Sequence, residues 1–145
     1  MALPEWNSGR QYWDGESTNA LAFDGSDTLY AFDQEISSHA LSKFTVDTNG
    51  ITLVTRTQAL LRGGPGIKVA GGLIYSSGGR VLDPVSLQLM GTNFFSSGHA
   101  IEVDLAANKA FILGHDYYGP QISVYQADTN SLEAQIPVGG VPELL

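Results

Sequence analysis

The chain alternates short apolar runs with clusters of turn-forming polar residues, and it lacks the spacing of an amphipathic helix. The pattern is clearest in Ile122–Pro142. There an alternating run (Ile122, Val124) leads into the polar turn Asp128-Thr129-Asn130-Ser131 and then a second alternating run (Leu132, Ala134, Ile136). The chain leaves through Pro137 and Val138-Gly139-Gly140-Val141-Pro142. Period-two alternation on both sides of a turn predicts a β-hairpin with one buried face. Only Ser86–Leu89 and Gln58–Arg62 are compatible with even one helical turn, and neither carries a useful apolar stripe.

The same order of elements recurs along the chain. Leu21–Asp24, Ile67–Ala70 and Ile101–Asp104 each follow a Gly or small polar segment. Each is succeeded by a turn and an apolar run: Thr28–Phe32, Leu73–Tyr75 and Lys109–Leu113. A third element follows (Ser42–Val46, Arg80–Leu82, Ile122–Tyr125), leading to Asp47, Asp83 or Asp128. A fourth run closes each unit: Ile51–Thr57, Leu87–Met90 and Leu132–Ile136. Positions 24, 70 and 104 are 46 and 34 residues apart, and positions 47, 83 and 128 are 36 and 45 apart. Both series average close to the roughly 40–45 residues of a four-stranded propeller blade. The expected architecture is all-β: three four-stranded antiparallel blades over about 20–62, 63–95 and 96–138. Residues 1–19 form an N-terminal edge segment, and 139–145 begin a further blade. Length variation is expected between the second and third strands. Units one and three should carry long loops there, whereas unit two has only Ser76–Gly79.

The run from Val124 through Asp128-Thr129-Asn130 to Ile136-Pro137-Val138-Gly139 resembles the end of a repeat in the YVTN family of β-propellers. In that family a V-x-D-T-x-T-N turn, a short strand and IPVG precede the Pro that opens the next blade. The resemblance covers about twenty residues and implies a partial β-propeller. Propellers close with about four to eight blades, because closure protects strand edges. Three blades would need company: either the chain is a piece of a longer propeller, or a second identical chain completes a six-bladed ring. A homodimer is the expectation, since twofold oligomers are the commonest. Gly140–Leu145 is similar to Gly63–Ile67, the entry to the second unit, which fits a further blade.

Composition narrows the function classes. Seven basic against 15 acidic residues give a net charge of −8, and the cations are scattered singly, so a nucleic-acid partner is not expected. Cysteine is absent, which excludes disulfides, thiolate catalysis and cysteine-based zinc sites. No apolar run approaches the roughly 20 residues of a spanning helix, so no membrane partner is expected. The opening MALPEWNSGRQYW does not have the form of a signal peptide. The compartment stays open; the resemblance allows an exported or cell-surface parent.

The family fold carries the candidate chemistry to one place. In a propeller the first strand of each blade is innermost, and the 2–3 and 4–1 connections open on one face. His39, Arg62, His99, His115, Asp116, Tyr117 and Tyr118 then share that face. Around a central opening, His99, His115 and Asp116 would suit a divalent metal or acid–base work, since imidazole titrates near neutral pH and ligates metals. Some YVTN-like propellers are similar to lyases that use such a His with a metal, but no catalytic set matches residue by residue. Against this, three His in 145 residues is ordinary, and loops collect polar groups. Tyr117-Tyr118 and Phe94-Phe95 offer an aromatic platform for a glycan or peptide, although Phe94-Phe95 equally suits packing between blades. Gly63-Gly64-Pro65-Gly66 lacks the Gly-Lys-Ser/Thr ending of a phosphate loop, and Asp24-Gly25-Ser26-Asp27 has too few oxygen ligands for a calcium loop. Gly-Xaa-Ser-Xaa-Gly is absent.

The sequence therefore points to a non-enzymatic binding or scaffold module taking a protein, peptide or glycan on the face with the long loops. The alternatives are a metal-assisted lyase or hydrolase using His99 and His115, and a gene fragment that self-assembles without an evolved ligand.

Overall fold

A computed structural model describes residues 18–33, 39–57, 61, 64–92, 98–116 and 118–139. They form twelve strands and no helix: β1 Thr18–Phe23, β2 Thr28–Asp33, β3 Leu41–Asp47, β4 Gly50–Thr57, β5 Ile67–Ala70, β6 Leu73–Ser76, β7 Arg80–Leu82, β8 Leu89–Thr92, β9 Gly98–Asp104, β10 Lys109–Asp116, β11 Gly119–Gln126 and β12 Leu132–Pro137. Each consecutive set of four makes one antiparallel meander, giving sheets in the order β1-β2-β3-β4, β5-β6-β7-β8 and β9-β10-β11-β12. The first strands lie side by side, β1 against β5 and β5 against β9. That arrangement makes the sheets three propeller-like blades fanned from a shared inner edge.

Turn chemistry explains why the chain reverses where it does. Asp24 Oδ1 accepts the N–H groups of Ser26 (2.9 Å) and Thr28 (3.2 Å), and Asp47 Oδ1 accepts that of Asn49 (2.7 Å). These are Asx turns, in which a short carboxylate stands in for the backbone. Between β5 and β6 the whole connection is Gly71-Gly72, at φ 56° and 74°. A two-residue hairpin of this hand needs positive φ at both positions.

Two cores hold the blades together. Ala22, Tyr30, Phe32 and Leu41 of the first sheet meet Ile67, Ile74, Leu82 and Leu87 of the second, with Leu61 buried among them. Tyr75 and Val81 on the second sheet's other face meet Val103, Ala110, Ile112 and Tyr125 of the third. Adjacent residues Ile74 and Tyr75 thus serve opposite cores, which is the strand period of two used on both faces.

Three expectations need correction. The fourth run of the second unit starts at Leu89, not Leu87. Leu87 sits at φ 54° in the β7–β8 turn and is buried in the first core, so its apolar side chain fills a gap instead of alternating along a strand. The third unit has no long second connection. Pairing continues through Gly114↔Gln121, His115↔Pro120 and Asp116↔Gly119, leaving only residues 117–118 between the strands. Backbone pairing there outlasts the apolar pattern, because the ladder needs only N–H and C=O groups. The first unit's innermost strand begins at Thr18, within the stretch assigned to the edge segment; the rest of residues 1–19, the start at 140–145 and the Gln58–Leu60 part of the helical-turn candidate lie outside the described residues.

Candidate functional site

The meanders sort the connections into two ends. Turns β1–β2, β3–β4, β5–β6, β7–β8, β9–β10 and β11–β12 occupy one end; the remaining connections, including the crossovers between sheets, occupy the other. His39 lies at the crossover end just before β3, at φ 39°, with its Nδ1 buried and without a hydrogen-bond partner. His99 is exposed near the start of β9, and His115 is exposed near the end of the neighbouring β10. Tyr118 is 92% exposed in the β10–β11 turn. Asp116 ends β10 opposite Gly119, its side chain outside the described residues, as are Arg62, Tyr117, Phe94 and Phe95.

His99 is seated by a hub that residue-type reasoning passed over. Ser77, fully buried, accepts the Gly66 N–H on its Oγ (2.9 Å), donates its own N–H to the Gly66 carbonyl (2.8 Å) and accepts the Gly98 N–H on its carbonyl (2.9 Å). One residue of the β6–β7 turn so ties down the crossover entering β5 and the start of β9. Gly64 is obligatory here: a Cβ at that position would collide with the Gly98 carbonyl. The Gly-rich crossover is therefore a packing device, with backbone running against backbone. The signal was readable in principle, since a small residue such as Ser77 facing glycines permits such an approach.

Among the described residues, no three His, Asp or Glu side chains come close enough together to hold a metal ion. His99 and His115 sit on adjacent strands, and any third ligand would have to come from elsewhere.

The turn end is acidic, with Asp24, Asp27, Asp47, Asp83, Asp104 and Asp128 in or beside its hairpin turns. Between the first and second sheets it opens a cleft of about 510 Å³ lined by Asp24, Tyr30, Lys43, Val69 and Val85, among others. Its polar side chains are engaged: Lys43 Nζ (2.9 Å) and Tyr30 Oη (3.2 Å) both donate to the Pro84 carbonyl, and Lys43 lies 5.9 Å above the Tyr30 ring. Burial raises the Tyr30 phenol above its usual range, helped by Asp24 and Asp83. The arrangement clamps the β7–β8 turn onto the first sheet. Hydrogen bonds lower the carboxyl pKa of Asp83, chiefly the Ser86 N–H, and of Asp24, chiefly the Ser26 N–H. The Asn108 side chain does the same for Asp128.

Comparison with protein-family models finds no match for this chain. Comparison with curated proteins finds none either.

Proposed function

We propose that the chain is a non-enzymatic binding or scaffold module that takes a protein, peptide or glycan on the crossover end of its blades. One observation carries the reading: the meander topology gathers the exposed side chains of His99, His115 and Tyr118 at the end where the connections between sheets run. Ligands generally sit on connections held by a rigid scaffold, and the Ser77 hub anchors the backbone at this end. The turn end offers a cleft, but its Lys and Tyr are already committed to Pro84. The resemblance to YVTN repeats is compatible with this reading, and it supplies no ligand, because fold does not fix function.

A metal-assisted lyase or hydrolase is the second reading, favoured by the placement of His99 and His115 on hydrogen-bonded neighbours. A titration with zinc and manganese, paired with an NMR screen of peptides and oligosaccharides, separates the two. The binding module predicts amide shifts at His99, His115 and Tyr118 and no metal retained through gel filtration. One metal per chain, lost in His115→Ala, would establish the second reading, and ligand shifts confined to Asp24, Lys43 and Val85 would move the site to the turn end.

A further inference from the structure

The register of the three sheets makes their residues equivalent position by position. Leu21, Ile67 and Ile101 correspond on the inner strands, as do Phe23, Val69 and Val103 two residues on. Cross-strand pairing carries the match outward to Leu29, Ile74 and Ala110, and then to Phe44, Leu82 and Tyr125. All these residues point toward the preceding sheet. In the second and third sheets that neighbour exists, and Ile67 and Val103 keep only 7% and 8% of their surface. In the first sheet Leu21 is 61% exposed and Phe23 48%. The opposite faces tell the complementary story. Tyr30, Tyr75 and Phe111 are equivalent, and Tyr30 and Tyr75 are buried against the following sheet. Phe111, with Leu113 and Ile122 beside it, remains half-exposed on the far side of the third sheet.

We infer that these two faces are the halves of one interface, and that their occupant is a second copy of this chain. The Leu21/Phe23/Leu29/Phe44 face of one copy takes the Phe111/Leu113/Ile122 face of the other, and the reciprocal junction forms around a twofold axis. Two junctions inside the chain already have this head-to-tail form and this chemistry, so the new ones continue an established packing. The rotation that relates one sheet to the next is repeated, and a head-to-tail contact closes when that rotation divides a full turn. Stoichiometry is limited by the same geometry. The three sheets of the described residues give three, six or nine in one, two or three copies, and of these only six lies within the roughly four to eight blades that close. The inference does not depend on where any ligand binds.

Sedimentation and light scattering on the 145-residue chain at micromolar concentration test it. The expected mass is twice the 15.5 kDa of the chain. A monomer overturns the proposal, as does a trimer. Phe23→Asp and Phe111→Asp each place a charge on one half of the junction, at an exposed and a half-exposed site of the single chain, and unchanged far-UV circular dichroism confirms that each variant keeps its fold. Either should weaken the dimer about a hundredfold or more. Mixing the two variants leaves one intact junction and should restore a heterodimer that neither forms alone. A Phe111→Asp variant that stays dimeric would show the contact to be front-to-front and sink the head-to-tail arrangement.

Discussion

The first and middle sheets carry matching side chains at matching positions and meet opposite fates. Ile67, Val69, Ile74 and Leu82 of the middle sheet pack against a neighbour, whereas Leu21, Phe23, Leu29 and Phe44 of the first face outward. Strand length does not produce the difference, because the middle sheet has strands of 3 or 4 residues and the first has strands of 6 to 8. The shorter sheet is the better buried because it has a sheet on each side. Burial in this molecule is a property of a sheet's place in the stack, and a strand's own pattern only makes it eligible.

The largest expected effect tests that directly. Ile74→Ala should cost about 2–5 kcal/mol in urea denaturation, since it empties a fully buried site. Leu29→Ala, the equivalent position in the first sheet, should cost about 1 kcal/mol or less at concentrations where the chain is monomeric. Equal losses would break the comparison. Next, Gly64→Ala should cost about 1–3 kcal/mol, because the added Cβ meets the backbone of Gly98 and neither side can yield cheaply. Gly139→Ala meets nothing within 4 Å and should change the denaturation midpoint little. Lys43→Met should cost about 1 kcal/mol by removing the Nζ–Pro84 bond, with amide shifts at Val85 marking the loosened turn.

The smallest effect concerns acid. Asp24, Asp83 and Asp128 titrate lower in the folded chain than in the unfolded one. Groups of this kind stabilise the fold above their unfolded pKa and lose that contribution as pH falls through the folded value. Urea midpoints should therefore hold from neutral pH down to about 5 and decline below about 4. Asp83→Asn should flatten part of that decline, and a midpoint that rises on acidification would refute the assignment.

Much of the fold was legible because turns and alternation are local. Ile67–Ala70 and Arg80–Leu82 are strands at the bounds expected of them, and Asp24, Asp47 and Asp83 mark turns. Leu87 misled because an apolar residue in a tight turn reads like the start of a strand. His115 and Asp116 read as loop, since polar residues beyond the core carry no alternation even where the ladder continues. The Tyr30–Lys43–Pro84 clamp joins residues 41 and 54 positions apart, and no local pattern encodes such a pair.

What the sequence determined alone was most of the strands, their reversals and the alternation that makes a face apolar, because backbone turn geometry and side-chain period are set within a few residues. What the tertiary structure decided was which faces meet and which glycines are compulsory. Those depend on the contact of β1 with β5 and β5 with β9, made between segments far apart in the chain and stabilised only once whole sheets exist to bury one another.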